Sequence, residues 1–157
     1  MREEEIFQII RLNNNSKIKE LINSKTIKLL GENHQSLLQE AIAFENTEMA
    51  LFLIEQKIDF NNQDFEGSTA LHYAIEHNQF SITKMILENN ANVNIQDIRG
   101  NSPLWTATFN SRGNYVFVKL LLEFRANTKL KNKYGLTPID FAKRIEDIGL
   151  IEVLDLE

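Results

Sequence analysis

The stretch Asp64–Gln96, DFEGSTALHYAIEHNQFSITKMILENNANVNIQ, reads as a turn, two antiparallel helices and a second short turn. Gly67 permits the positive φ such a turn needs, and Thr69 stands where the first helix needs an N-cap. Leu71, Ala74 and Ile75 give that helix its inward face, and Ile82, Met85, Ile86 and Leu87 do the same for the second. The pattern returns. Gly67 recurs as Gly100, 33 residues on, and then as Gly135, 35 residues further; Leu71 and Ala74 recur as Leu104 and Ala107, then as Ile139 and Ala142. A fixed period of this size marks a stacked array, in which each unit buries its apolar side against the next.

The residues that carry the period are GSTALHYA from Gly67, GNSPLWTA from Gly100 and GLTPIDFA from Gly135. They resemble the ankyrin repeat. The fold this implies is all-α: an ankyrin-repeat solenoid of stacked helix-turn-helix units joined by β-turn/hairpin loops. The expected organisation is one domain over 1–157, with an N-terminal capping helix pair (1–30), full repeats at 31–63, 64–96 and 97–131, and a C-terminal capping repeat (132–157).

In the first unit, Ile6, Phe7, Ile9 and Ile10 form one apolar stripe, Asn13, Asn14 and Asn15 break it, and Ile18, Leu21 and Ile22 form a second. Arg2, Glu3, Glu4, Lys17, Lys19 and Glu20 supply a polar outer side. The next repeat has His34 in place of the turn glycine, and because a side chain at positive φ is strained, His34 is expected to adopt a different turn or a frayed one. Ser36 followed three residues later by Gln39 has the form of a capping box. The alanines at 41, 74, 107 and 142 mark close helix approach, where a larger side chain would overpack. The resemblance gives His72 a structural role, tying helix to turn. Trp105 replaces it in the following repeat and brings an indole N–H that needs a partner. That repeat also gains two residues, placed in a loop over Asn110–Asn114 between Phe109 and Tyr115. The last unit opens with Thr137 as N-cap, Pro138 at the first helical position and Asp140 near the positive helix end.

Composition bounds the chemistry. At 157 residues and 43% hydrophobic, the chain suffices for one substantial core. No cysteine is present, which removes disulfides, thiolate ligands and thiol nucleophiles. The start, Met1-Arg2-Glu3-Glu4-Glu5, is charged where a signal peptide needs an apolar run, and no apolar stretch is long enough to span a bilayer. A soluble, cytoplasmic monomer is expected, with no membrane association. The net charge of −5 is unevenly spread. Residues 32–97 hold eleven acidic against two basic side chains, a balance of −9, whereas residues 99–144 hold nine basic against two acidic, a balance of +7. Sequence order in a stack is spatial order, so the array should be bipolar.

The three histidines, His34, His72 and His77, have no zinc-site spacing, and no phosphate-cradling, dinucleotide or nucleophile-elbow motif occurs. The reading is no enzyme, no catalytic residue, no cofactor, no metal and no small-molecule substrate. Nucleic-acid binding through the basic C-terminal half, at Arg125, Lys129, Lys131, Lys133 and Tyr134, is opposed by a pI near 5.3.

The resemblance instead implies a protein partner gripped by the concave face of turn tips and first helices. Carried onto this chain, that face comprises Glu32, Asn33 and Gln35; Phe65, Glu66, Ser68, Glu76 and His77; Ile98, Arg99, Asn101, Phe109 and Asn110; and Lys133, Tyr134, Leu136 and Arg144. Phe65, Ile98, Phe109, Tyr134 and Leu136 are apolar or aromatic where the fold needs no burial, a composition typical of interface anchors. Small solitary ankyrin proteins of bacteria that this one resembles include inhibitors of toxic effector proteins. The specific expectation is therefore an immunity-type inhibitor of a basic toxin, and the alternative is an adaptor or secreted effector engaging a host protein.

Overall fold

The computed structural model describes residues 3–155; Arg2, assigned above to a polar outer side, lies outside them, as do the ends of both expected capping units. Ten α-helices account for the regular structure among the described residues. A 3-10 turn at Thr26–Lys28 and one isolated bridge between Leu30 and Ser36 are the additions. The chain forms two compact units, Met1–Ala91 and Asn92–Glu157.

The first unit contains α1 (Glu3–Arg11), α2 (Asn15–Leu21), α3 (Leu37–Ala43), α4 (Thr47–Glu55), α5 (Ala70–Glu76) and α6 (Phe80–Glu88). Ile6, Phe7 and Ile10 of α1 are buried, as are Leu38, Ala41 and Ile42 of α3 and Leu71, Ala74 and Ile75 of α5. Thus α1 packs on α3 and α3 on α5, through positions repeated at the period. A buried carboxylate, Glu40, sits in this interface. It pairs with Arg11 Nε and accepts Gln35 Nε2 at 3.2 Å, while Arg11 reaches Glu4 at 3.2 Å and lies 5.6 Å above the Phe44 ring. The hydrogen bond to Glu40 raises the Arg11 pKa.

Each helix pair of this unit closes by one device. After α3, Glu45 adopts φ 53°, its N–H donates to Ile42 O at 3.1 Å, and the Asn46 N–H donates to Ala41 O at 2.8 Å. This is the Schellman termination. Asn46 then caps α4 by accepting the Met49 N–H at 3.1 Å, and its Nδ2 donates to Ile10 O at 3.1 Å. One residue ends one helix and starts the next. Asn14 plays both parts between α1 and α2, and Gln79 ends α5 the same way while its Nε2 donates to Ile42 O at 2.8 Å.

The second unit contains α7 (Pro103–Asn110), α8 (Val116–Glu123), α9 (Pro138–Arg144) and α10 (Ile148–Asp155). Leu104, Ala107, Val118, Leu121, Ala142 and Leu150 are buried. Asp147 ends α9 and caps α10 through Leu150 N at 3.0 Å. The α7–α8 connection is different. Asn110 is the last residue of α7 rather than part of the loop expected over Asn110–Asn114, because the helix continues until Arg112 (φ 42°) and Gly113 (φ 85°) turn the chain. Tyr115 O–H then donates to Asp147 Oδ1 at 2.5 Å, and this bond raises the Tyr115 pKa.

Candidate functional site

Four turns share one construction. Their first residues, Gly31, Asp64, Asp97 and Asn132, accept at the carbonyl from the residue at positive φ three positions on, each at 2.9 Å, and donate from N–H to the carbonyl four positions on. In three of them the first side chain also fixes the tip. Asp64 Oδ1 accepts from Glu66 and Ser68 at 2.9 and 2.8 Å, Asp97 Oδ1 from Arg99 and Asn101 at 2.8 Å each, and Asn132 Oδ1 from Tyr134 and Leu136 at 3.0 and 3.2 Å.

Gly31 has no side chain to do this, and the two departures from expectation follow. Gln35, placed above on the concave face, is buried instead. Its Oε1 accepts the Asn33 N–H at 3.0 Å, and a Cβ on Gly31 would stand 2.5 Å from its Nε2. His34 keeps the glycine conformation, at φ 63°, rather than adopting a different turn. Histidine tolerates the left-handed region better than most residues, and here the ring is held. Nδ1 lies 3.2 Å from Gln63 O, and the ring stacks on Phe65 with centroids 5.6 Å apart.

In the first unit the tips are tied by Phe65 N–H donating to Asn33 O at 3.0 Å. That bond fixes the Phe65 backbone and the His34 stack meets its ring, which remains 66% exposed. Glu32 and Glu66 of the same two tips are exposed, as are Glu76 and His77 at the end of α5. His77 stacks on Tyr73, whose O–H donates to Asp64 Oδ2 at 2.7 Å. Burial, then the Asp64 carboxylate, raises the Tyr73 pKa. Ser68 is half-buried and serves the framework, its carbonyl accepting Gln39 Nε2 at 2.7 Å. His72 is buried, with Nδ1 accepting the Thr69 N–H at 3.1 Å and meeting the Thr69 hydroxyl at 2.9 Å. The ring closes the helix start, as the resemblance implied.

In the second unit Lys133 N–H donates to Arg99 O at 2.8 Å, tying the two tips. Ile98 is 45% exposed, Tyr134 80%, and Arg99 and Lys133 stand beside them. Asn101 and Leu136 are half-buried: Asn101 Oδ1 accepts Asn132 Nδ2 at 3.3 Å, and Leu136 O accepts the Trp105 indole N–H at 3.3 Å. Trp105 therefore finds the partner its chemistry demanded. Its ring lies 5.9 Å from Phe109 and 5.2 Å from Phe141, and Phe109 and Phe141 are 5.5 Å apart. Phe109 is 60% exposed on this aromatic base, and Asn110 is exposed beside it. Phe141 escaped the sequence reading of the surface. The signal was present, since Phe141 repeats the aromatic position of Tyr73 two periods later.

Among the described residues no group of three His, Asp or Glu side chains is placed to hold a metal ion, and no helix is long and apolar enough to cross a membrane. A family model described as ankyrin repeats (3 copies) matches residues 6–97, and one described as ankyrin repeat matches residues 99–133. A protein of Rickettsia bellii named as an ankyrin repeat protein is 33% identical over 135 residues, covering 81% of this chain and 39% of its own length. One of Rickettsia felis is 36% identical over 110 residues, covering 65% and 48%. The B-cell lymphoma 3 protein homolog of Mus musculus is 32% identical over 130 residues, covering 80% and 29%. The chain thus spans less than half the length of each of these relatives.

Proposed function

This chain belongs to the ankyrin-repeat family, whose repeats serve as protein–protein interaction modules, and on that premise we propose that it binds and blocks a basic partner protein without catalysis. The partner class that fits best is a toxin-like effector, which makes this chain an immunity-type inhibitor. The observation that carries the reading is the first unit's tip surface: Phe65, its backbone bonded to the Asn33 carbonyl and its ring stacked on His34 yet 66% exposed, belongs to a pair of tied tips that also expose Glu32 and Glu66. A rigid aromatic loses little rotamer freedom on binding, and the carboxylates around it steer a cationic surface inward. Residues 29–83 hold nine carboxylates against one lysine, Lys57; Arg11 and Lys19 from outside that stretch pair with Glu40 and Glu48, and the net field there stays negative.

The test is affinity capture from lysate of the source cell, comparing the wild type with a Phe65→Ala/Glu66→Ala variant. A single basic protein held by the wild type and lost by the variant, with the thermal midpoint nearly unchanged, is the expected result. Capture that ignores the variant moves binding to another surface. A large drop in the midpoint makes Phe65 and Glu66 structural instead.

A further inference from the structure

Resting on the reading that tips and first helices are the protein-binding side, we infer that the second unit is a receptor for an acidic segment of a partner protein carrying an aromatic or large aliphatic anchor. Its chemistry differs in kind from that of the first unit. Where His72 turns inward to Thr69, Trp105 reaches across to the Leu136 carbonyl and backs Phe109 and Phe141. The result is a three-ring platform whose inner member is buried and whose outer member, Phe109, is 60% exposed. A platform already stacked in the free protein can take an apolar side chain at small ordering cost.

Charge selects what flanks that side chain. The tip and first-helix segments, residues 97–110 and 131–145, hold five cations (Arg99, Lys131, Lys133, Lys143, Arg144) and two carboxylates, a balance of +3. Both carboxylates are engaged. Asp97 holds its own tip, and Asp140 Oδ2 accepts the Thr137 N–H at 2.9 Å and its hydroxyl at 2.7 Å. Among the described residues Lys133 and Arg144 form no salt bridge, Lys143 interacts with Asp140 only through space, and all three are exposed. Tyr134, 80% exposed next to Lys133, extends the apolar surface toward the tip. Cations around an aromatic platform also suit single-stranded nucleic acid. The chain's net charge of −5 repels a polyanion at long range, whereas a short acidic peptide carries too little charge to be excluded.

The sequence holds one tryptophan, Trp105, so the platform reports its own occupancy. The probe is a fluorescein-labelled synthetic peptide with a Phe-Leu pair flanked by glutamates, followed by anisotropy and, for its unlabelled form, by Trp105 emission. Saturable binding that shifts Trp105 emission is expected. It should weaken at least about tenfold in Lys133→Glu/Arg144→Glu and in Phe109→Ala, both at exposed positions whose melting curves verify folding. Phe65→Ala/Glu66→Ala should bind the probe as the wild type does, so this site and the proposed capture of a basic partner succeed or fail separately. Four outcomes overturn the inference: no binding, equal binding of a peptide with glycines in place of Phe-Leu, tighter binding of the lysine-flanked peptide, or displacement by a short oligouridine at lower concentration than by unlabelled peptide.

Discussion

Ala41, Ala74, Ala107 and Ala142 occupy one position of the repeat, and all four are buried. At Ala74 the Cβ already faces packed neighbours, so the extra carbons of leucine have no room. Ala74→Leu is expected to cost about 1–3 kcal/mol, read as a lower urea midpoint at unchanged slope; an unaltered transition would mean this position does not face the interior. Such residues were legible in the sequence because size alone betrays them. Gly67 and Gly135 were legible too, since positive φ leaves its mark on composition. His34 and Gln35 were not. Their roles depend on what Gly31 lacks, and only the folded turn shows that Gln35 supplies the acceptor that Asp64 and Asp97 carry on their own side chains.

Helix ends tell the complementary story. Asn13, Glu45, Lys57, Asn78, Asn90, Arg125 and Glu146 all sit at positive φ just beyond a helix, and none is glycine. Asn13, Asn78 and Asn90 carry the usual signature of a left-handed helix end, but Glu45, Lys57, Arg125 and Glu146 carry none, so the helix pattern announced those pairs without showing how their helices end. Glutamate at φ 53° bears a steric cost that glycine does not. Glu45→Gly and Lys57→Gly should each stabilise the fold by roughly 0.5–1 kcal/mol, measured as a rise in thermal midpoint. A fall would show that local contacts of those side chains outweigh backbone strain. The aromatic platform was half legible for a similar reason. Trp105 and Phe109 stood out within one helix, whereas Phe141 lies one repeat away and joins them only through packing.

At the scale of the whole molecule, stability should fall at both ends of the pH range. The backbone and hydroxyl of Thr137 hold the Asp140 pKa below the usual value, and Lys19 with Asn15 does the same for Glu48. A depressed carboxylate contributes stability above its unfolded pKa, near 4, and loses it as pH falls through the folded one. The tyrosines act in the opposite sense. Tyr73 and Tyr115 have raised pKa values, so their contribution is complete below about pH 10 and is lost as pH rises through the folded pKa. Urea midpoints against pH should therefore show a neutral plateau with two falling limbs. Tyr73→Phe should flatten the alkaline limb while costing about 1 kcal/mol at neutral pH for the bond to Asp64; an alkaline limb identical to wild type would remove Tyr73 from this account. The exceptional α7–α8 connection bears on how such a molecule can be altered. Between α1 and α2, α3 and α4, and α9 and α10 a single residue both closes one helix and caps its partner, so added length there would disturb two helices at once. At Ser111–Asn114 no residue has that double duty, and a Cβ on Gly113 would meet nothing within 4 Å. This is the place where an epitope tag or a dye-bearing linker can be spliced into the chain and leave every repeat in register.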